Sequence, residues 1–185
     1  MNKLLIGLLF TCCLISCKNK KSENIPPFFP VLDYLKSEAK KTDSLPLTFT
    51  KITTAEGISD TSKTTKEEVN KYASEFLNLP DIASGNRRDD FKETQDYDEI
   101  MNNVLLIYTP KKPEDEVRNE TVMMPPDDEG NTHVKTILVT TVKNDKDSTI
   151  EKNMTWHMDK RFQIVTKVNK PNQPEKINTV VISWE

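Results

Sequence analysis

The stretch that decides the fold is Ser148–Val168, STIEKNMTWHMDKRFQIVTKV. Apolar side chains fall mostly at alternate positions on both sides of a tight polar turn, Asp159-Lys160. This alternation places one face of each strand in a core and the other face in solvent. Two such runs around a short turn predict an antiparallel β-hairpin. The alternating apolar positions are Ile150, Met154, Trp156 and Met158 before the turn and Phe162, Ile164 and Val168 after it.

Further strand candidates lie on both sides of this hairpin. The later ones are separated by short polar turns, which favours a meander in which each strand pairs with the next. Residues 55–63, around Gly57, are interpreted as a turn region, and residues 81–99 as a polar, irregular segment. The remaining predicted strands are Leu47–Thr53, Val104–Tyr108, Glu116–Met124, Thr132–Lys143 and Ile177–Trp184.

Two segments in the first half of the chain have helical periodicity. Residues 29–41 carry an apolar stripe and place Pro30 in the first turn, where a missing N–H costs nothing. A second helix is predicted over residues 65–78, where apolar residues recur at helical spacing. Thr65 and Glu68 have the spacing of a capping box, in which each side chain satisfies a backbone N–H of the other residue.

The order of these elements predicts an α+β fold. Two N-terminal helices pack on one face of a six- or seven-stranded, largely meandering antiparallel sheet. The pattern leaves open whether the sheet curls into a partial barrel. Residues 28–185 are predicted to form a single domain, because a segment of this length can bury a core of its own.

Composition excludes several classes of function. The formal net charge is −3 and the charges are dispersed, so no basic face for nucleic acid is indicated. Glycine occurs only four times, and no position belongs to a glycine-rich loop of the kind that cradles a nucleotide phosphate. We therefore expect no nucleic-acid partner and assign no cofactor.

The first residues have the features of a secretory signal peptide. Lys3 gives a short positive start, and Leu4–Ile15 is an apolar run too short to span ~30 Å of hydrocarbon as a helix. Leu14-Ile15-Ser16-Cys17 then resembles the bacterial lipobox, in which a small residue precedes the cysteine that receives lipid. The sequence therefore predicts removal of residues 1–16 and lipidation of Cys17.

Lipidation of Cys17 would fix the chain to a membrane. Each buried methylene of an acyl chain such as palmitate contributes about 0.8 kcal/mol, so a diacylglyceryl group with a further N-acyl chain anchors durably. Cys12 and Cys13 lie in the segment to be removed, which leaves no cysteine for a disulfide or a thiol nucleophile. Residues 17–27 are polar, end in two prolines and are predicted to form a flexible tether.

Most of the chain after the tether resembles a group of small, mostly uncharacterised lipoproteins of Bacteroidetes. The resemblance implies an outer-membrane address and no assigned activity. Lys18 is not followed by the acidic residues that some surface-exported members carry, so the periplasmic side and the cell surface both stay open. The matching motifs are Phe29-Pro30-Val31, Asp33-Tyr34-Leu35, Asp43-Ser44-Leu45-Pro46, Glu75-Phe76-Leu77, Pro80-Asp81-Ile82, Trp156, Phe162-Gln163-Ile164-Val165-Thr166 and Val181-Ile182-Ser183-Trp184.

No residue stands out as catalytic, cofactor-binding or metal-binding. His133 and His157 are expected at opposite ends or faces of a hairpin, which argues against a joint metal site. Acidic residues are dense between Asp89 and Glu99 but lack the spacing of a calcium loop, so a solvated loop is favoured over a cation site. Whether the chain is an enzyme is left open.

Three aromatic residues, Trp156, Phe162 and Trp184, fall at core-facing positions of their predicted strands. Packing in the core is the expected role. The alternative is a carbohydrate-binding platform, which requires the rings to be coplanar and exposed.

Three hypotheses for function remain. The leading one is a non-enzymatic envelope module that is anchored to membrane lipid through acylated Cys17 and binds or scaffolds an envelope component such as a protein partner. The alternatives are an apolar-ligand or lipid carrier and a small carboxylate-dependent hydrolase. A carrier requires a deep apolar cavity, and an enzyme requires a cleft with convergent polar groups and a shifted carboxylate pKa. A scaffold requires an exposed apolar patch or a free sheet edge.

Overall fold

A computed structural model describes residues 28–126 and 133–185. The predicted signal peptide (1–16) and the tether (17–27), including Cys17, lie outside the described residues. Within the described part, nine strands form one sheet and three helices accompany it. The helices are α1 (Val31–Ser44), α2 (Lys66–Leu77) and α3 (Gly85–Arg88). The strands are β1 (Phe49–Ala55), β2 (Ile58–Thr64), β3 (Phe91–Asp98), β4 (Asn103–Pro110), β5 (Val117–Met124), β6 (Thr136–Asp145), β7 (Ser148–His157), β8 (Arg161–Asn169) and β9 (Lys176–Trp184).

The sheet is an antiparallel meander with one departure from sequence order. From β3 to β9 each strand pairs with the next, and the full order is β2-β1-β9-β8-β7-β6-β5-β4-β3. The departure is β1, which pairs with β9 and places Phe49 opposite Trp184. The sheet is not closed, so β2 and β3 are its two edge strands.

The hairpin predicted within Ser148–Val168 forms as β7 and β8. Trp156 lies opposite Phe162, as the alternation requires. Asp159, in the turn between the strands, has a φ of 58°, in the left-handed region that aspartate tolerates better than most residues. The α+β class and the antiparallel sheet are therefore confirmed.

An aromatic cluster joins α2 to the sheet. Phe76 of α2 meets Trp156 edge-on, with ring centroids 5.2 Å apart and an interplanar angle of 81°, and its ring centroid is 5.6 Å from that of Phe162. The Trp184 ring lies 6.2 Å from Trp156 and 6.0 Å from Phe162. Trp156, Phe162 and Phe76 are buried, and Trp184 packs against them. Core packing of these aromatics is confirmed, and the tilted rings do not form a flat platform.

The start of α2 confirms one half of the predicted capping box. The Thr65 hydroxyl accepts a hydrogen bond from the Glu68 backbone N–H at 3.3 Å. The Glu68 carboxylate instead accepts hydrogen bonds from Lys51 Nζ and from the Thr64 hydroxyl, each at 2.5 Å. Both contacts lower the pKa of Glu68. This carboxylate therefore ties α2 to β1 rather than completing the box.

Helix α1 packs beside α2 over the sheet. It follows Pro30, which is its N-cap, and continues to Ser44, beyond the predicted end at Lys41. Lys41 Nζ lies 2.6 Å from a carboxylate oxygen of Asp159 and so connects the end of the helix to the β7–β8 turn. In residues 28–126 and 133–185, no helix combines the length and apolarity needed to cross a lipid bilayer.

The predicted numbers of helices and strands are wrong, and so is the placement of both helices ahead of the sheet. The hairpin of β1 and β2 separates α1 from α2. β2 forms where the sequence predicts a turn region, and α3 and β3 form where it predicts an irregular segment. Both missed strands lie at sheet edges and are mostly exposed on both faces, so they carry no apolar alternation.

Candidate functional site

A cleft lies where α2 ends above strands β6 and β7. Its volume is about 460 Å³, which is within the range of small-ligand sites in proteins. The sheet supplies one wall, and the last turn of α2 with the residues after it supplies the other. The side chains that matter most are Leu79 and Pro80 after the helix, Ile150 and Met154 on the sheet, and the charged residues Glu75, Glu116, Lys143 and Lys152 around them.

Strand alternation explains why two lysines face this cleft. Lys152 has the same parity as the buried Met154, and Lys143 lies opposite Ile150 in the paired strand. Both lysines therefore project from the helix-covered side of the sheet. Because α2 ends at Leu77, it does not cover these positions, and charged side chains can stand there in contact with solvent.

One of the lysines connects the two walls. Lys152 Nζ lies 2.5 Å from a carboxylate oxygen of Glu75, on the last turns of α2. Both side chains are partly exposed, so the pair contributes at most about 1 kcal/mol to stability. Its main effect is to fix the position of the helix end over β7.

The other two charges of the cleft are unpaired within the described part of the chain. Neither the Lys143 ammonium nor the Glu116 carboxylate has an ion pair or side-chain hydrogen bond there. Glu116 directly precedes β5 and lies near Lys143 of the adjacent β6, since the Val142 N–H donates to the Glu116 carbonyl at 2.9 Å. Among the described residues, the cleft thus presents an apolar wall together with one free cation and one free anion.

A buried glutamate lies directly behind this cleft. Glu120 on β5 is 3 % exposed, and within the described residues its Oε1 has no hydrogen-bond partner. It faces a small void that shares Leu79 and Pro80 with the lining of the cleft and has no room for a water molecule. Burial raises the pKa of Glu120 to about 8, and the Asp81 charge adds to the shift. At neutral pH the carboxyl is therefore mostly protonated.

A tyrosine occupies the neighbouring position in the same row of side chains. Tyr108 lies opposite Glu120 on one side and Glu93 on the other. Its hydroxyl accepts a hydrogen bond from the Phe29 N–H at 3.0 Å. Burial raises the pKa of Tyr108 to about 12, with smaller contributions from the two glutamates. The phenol is thus neutral and serves to hold the start of α1 on the sheet.

Two properties of Glu120 bear on the hydrolase hypothesis: its raised pKa favours it, and its burial argues against it. The raised pKa of Glu120 is the kind of shift that a catalytic carboxyl requires. However, a general acid or base must reach its substrate directly or through one water. Glu120 is almost fully buried and the void beside it has no room for a water molecule, so this arrangement does not deliver the carboxyl to a substrate.

A second cavity of about 470 Å³ lies between the β1–β2 turn and the start of β9. Turn and loop residues such as Gly57 and Pro174 line it, together with the ends of the two strands. None of the three described helices contributes to its lining, and no buried polar group is among its lining residues. The cleft at the end of α2 is the better-formed candidate.

The two histidines do not form a site. His133 is exposed before β6, and His157 ends β7 with its Nδ1 3.0 Å from the Thr136 hydroxyl. Of the two expected arrangements, opposite ends or opposite faces of the hairpin, the first is wrong, because Thr136 pairs with His157 and His133 precedes Thr136 at that same end. Over residues 28–126 and 133–185, no group of three or more His, Cys, Asp or Glu side chains could hold a metal ion.

Two charged residues at core-facing strand positions are sequence signals for the cleft and for the glutamate behind it. Lys152 stands at an apolar-parity position of its strand, between Ile150 and Met154, and Glu120 shares parity with the buried Val122. A charged residue at a core-facing position of a strand indicates either a buried polar group or a gap in the covering layer. Glu120 is the buried polar group, and Lys152 stands at the gap in the covering layer.

Comparison of the chain with models of protein families, with curated proteins and with solved structures found no match.

Proposed function

We propose that this chain is a lipid-anchored binding module of the bacterial cell envelope and that its ligand occupies the cleft at the end of α2. Cys17 carries the anchor, and the outer membrane, on its periplasmic side or at the cell surface, is the proposed location. The lipobox and the resemblance to Bacteroidetes lipoproteins support the address. The observation that carries the binding role is the 460 Å³ cleft with its unpaired charges.

The lining of the cleft indicates the chemistry of the ligand. Ile150, Met154 and Leu79 offer apolar contact, while Lys143 and Glu116 offer a cation and an anion. A small molecule or peptide segment with an apolar body and ionised groups of both signs would satisfy all of them. Apolar contact would supply most of the affinity, and the charges would fix the orientation.

The carrier hypothesis has less support from the packing. A lipid chain would need to enter between the helices and the sheet. That space under α2 is filled by the contacts of Phe76 with Trp156 and Phe162. The hydrolase remains a second candidate because of the raised pKa of Glu120, and it would require Leu79 and Pro80 to move aside.

Native mass spectrometry of the full chain, purified in mild detergent from its own envelope, tests the binding role. We expect a bound mass in the wild-type protein and its loss in Lys143→Glu, which reverses the free cation of the cleft. Lys146→Glu is the matched control, because Lys146 is exposed in the nearby β6–β7 turn and outside the cleft. A bound mass that survives both changes, or no bound mass in any form, would contradict the proposed site.

Metabolic labelling tests the anchor separately. Cells grown with radiolabelled palmitate should label the wild-type chain and leave Cys17→Ser unlabelled. Protease treatment of intact cells then distinguishes the cell surface from the periplasmic side. Label that persists in Cys17→Ser would refute lipidation at this cysteine.

A further inference from the structure

The turn between β3 and β4 carries an exposed apolar tip, formed by Tyr97, Ile100 and Met101. Ile100 is 97 % exposed, Met101 57 % and Tyr97 48 %. Single exposed apolar side chains are common on protein surfaces, but three within one hairpin end are a candidate contact surface. The tip belongs to neither the cleft nor the buried glutamate.

Hydrogen bonds hold the tip in a defined shape. One carboxylate oxygen of Asp98 accepts the backbone N–H groups of both Ile100 and Met101, each at 3.0 Å. The Tyr97 hydroxyl donates to the side-chain oxygen of Asn102, which has a φ of 51°. Ile100 is therefore displayed by an ordered turn, and little conformational entropy remains to be lost on docking.

The tip is continuous with other partly exposed apolar side chains. On one face of the sheet Tyr97 lies opposite Val104, which lies opposite Met124. On the other face Leu105 lies opposite Met123. The patch thus extends from the turn onto three strands, and β3 is an edge strand whose outer side pairs with no described strand.

The charge around the tip indicates the kind of partner. Residues 94–102 contain Asp96, Asp98 and Glu99 and no lysine or arginine. Such a segment is repelled by a membrane surface with anionic headgroups, and by the same tip of a second copy. It is attracted to an apolar pocket that has lysine or arginine at its rim.

We propose that this tip is a docking surface that inserts Ile100 and Met101 into an apolar pocket with a basic rim on another protein. The apolar side chains supply affinity, and Asp96 and Glu99 supply orientation and rate of association. Asp98 has a structural role, since its carboxylate holds the turn.

Site-specific photo-crosslinking in the full chain, in the cells that produce it, tests this proposal. A photoreactive amino acid replaces Ile100, and the same amino acid at Ile58 serves as the control. Ile58 is also highly exposed, at 76 %, and begins β2 beside the β1–β2 turn, at the opposite end of the strands. We expect one discrete protein adduct at position 100 that is absent at position 58. Peptide mapping should place the crosslink among apolar residues flanked by lysine or arginine.

A charge variant makes the test specific. Asp96→Asn with Glu99→Gln removes two rim charges but leaves Asp98 to hold the turn, and should lower the adduct yield about fivefold. Unchanged tryptophan emission would show that this variant is folded. Adducts to lipid or to a second copy of the chain, equal adducts at both positions, no adduct at position 100, or a yield that does not depend on the two carboxylates would each overturn the proposal.

Discussion

Replacing Glu120 with glutamine should change how stability depends on pH. Glu120 is buried, and its pKa rises from an ordinary value of 4.5 to about 8 in the folded protein. Between these two values the folded chain keeps a proton on this carboxyl that the unfolded chain releases. The free energy of unfolding therefore falls as pH rises through this window.

The size of the effect follows from the two pKa values. Each unit of difference corresponds to about 1.4 kcal/mol, so this one carboxyl should cost the wild-type protein about 3.5 kcal/mol of stability between pH 5 and pH 8. Glutamine has nearly the same shape and does not ionise. Glu120→Gln should therefore match the wild type near pH 5, and should be about 3.5 kcal/mol more stable at pH 8, a large fraction of the stability of a domain.

Urea unfolding followed by tryptophan fluorescence measures this difference. The chain has two tryptophans, Trp156 and Trp184, both in the aromatic cluster, so their emission reports loss of the core. Glu175→Gln, at an exposed loop position, is the control and should leave the pH dependence unchanged. Burial lowers the pKa of His157, but this contribution is common to all three proteins and cancels in the comparison. A difference between wild type and Glu120→Gln that is constant from pH 5 to pH 8 would refute the reasoning.

Three further changes test other parts of the structure by the same unfolding assay or by mass spectrometry. Phe76→Ala removes the ring that joins α2 to the sheet and should lower the free energy of unfolding by about 4 kcal/mol; a loss below 1 kcal/mol would contradict the packing. Thr65→Ala removes the side-chain cap of α2 and should lower the free energy of unfolding by about 1 kcal/mol. Thr65→Ser keeps a capping hydroxyl and should change the free energy of unfolding little. Lys152→Met breaks the partly exposed pair with Glu75, so the free energy of unfolding should change by less than about 1 kcal/mol. Native mass spectrometry should show weaker retention of the cleft ligand, and unchanged retention would argue against a role for Lys152 in binding.

The sequence was most informative where one face of a strand is buried and the other is exposed. The hairpin of β7 and β8 follows directly from this contrast, because Trp156 and Phe162 alternate with polar residues. Apolar alternation does not predict β2, because its sequence ISDTSKT contains a single apolar residue. This strand pairs with β1 through its backbone. Edge strands receive their conformation from the neighbouring strand, and nothing in their own side chains marks them.

The cleft was beyond prediction for a different reason. The sequence indicates that Lys152 has core parity and that α2 stops near Leu77, but the cleft depends on where the helix end lies above the sheet. That position follows from tertiary contacts such as those of Phe76 with Trp156 and Phe162, which join segments far apart in the chain. The unpaired state of Glu120 is likewise a property of the assembled layers.

The pairing of β1 with β9 has a consequence for the order of assembly. The hairpin of β1 and β2 comes early in the chain, yet its place in the sheet exists only once β9 has paired with β8. Closing so long a loop is entropically costly, and contacts of this kind slow folding. Until β9 arrives, the hairpin of β1 and β2 lacks a sheet to join, and a two-stranded hairpin alone is barely stable in water. We therefore expect docking of the N-terminal hairpin to be a late step of folding, and any species that precedes it to expose strand edges on both pieces.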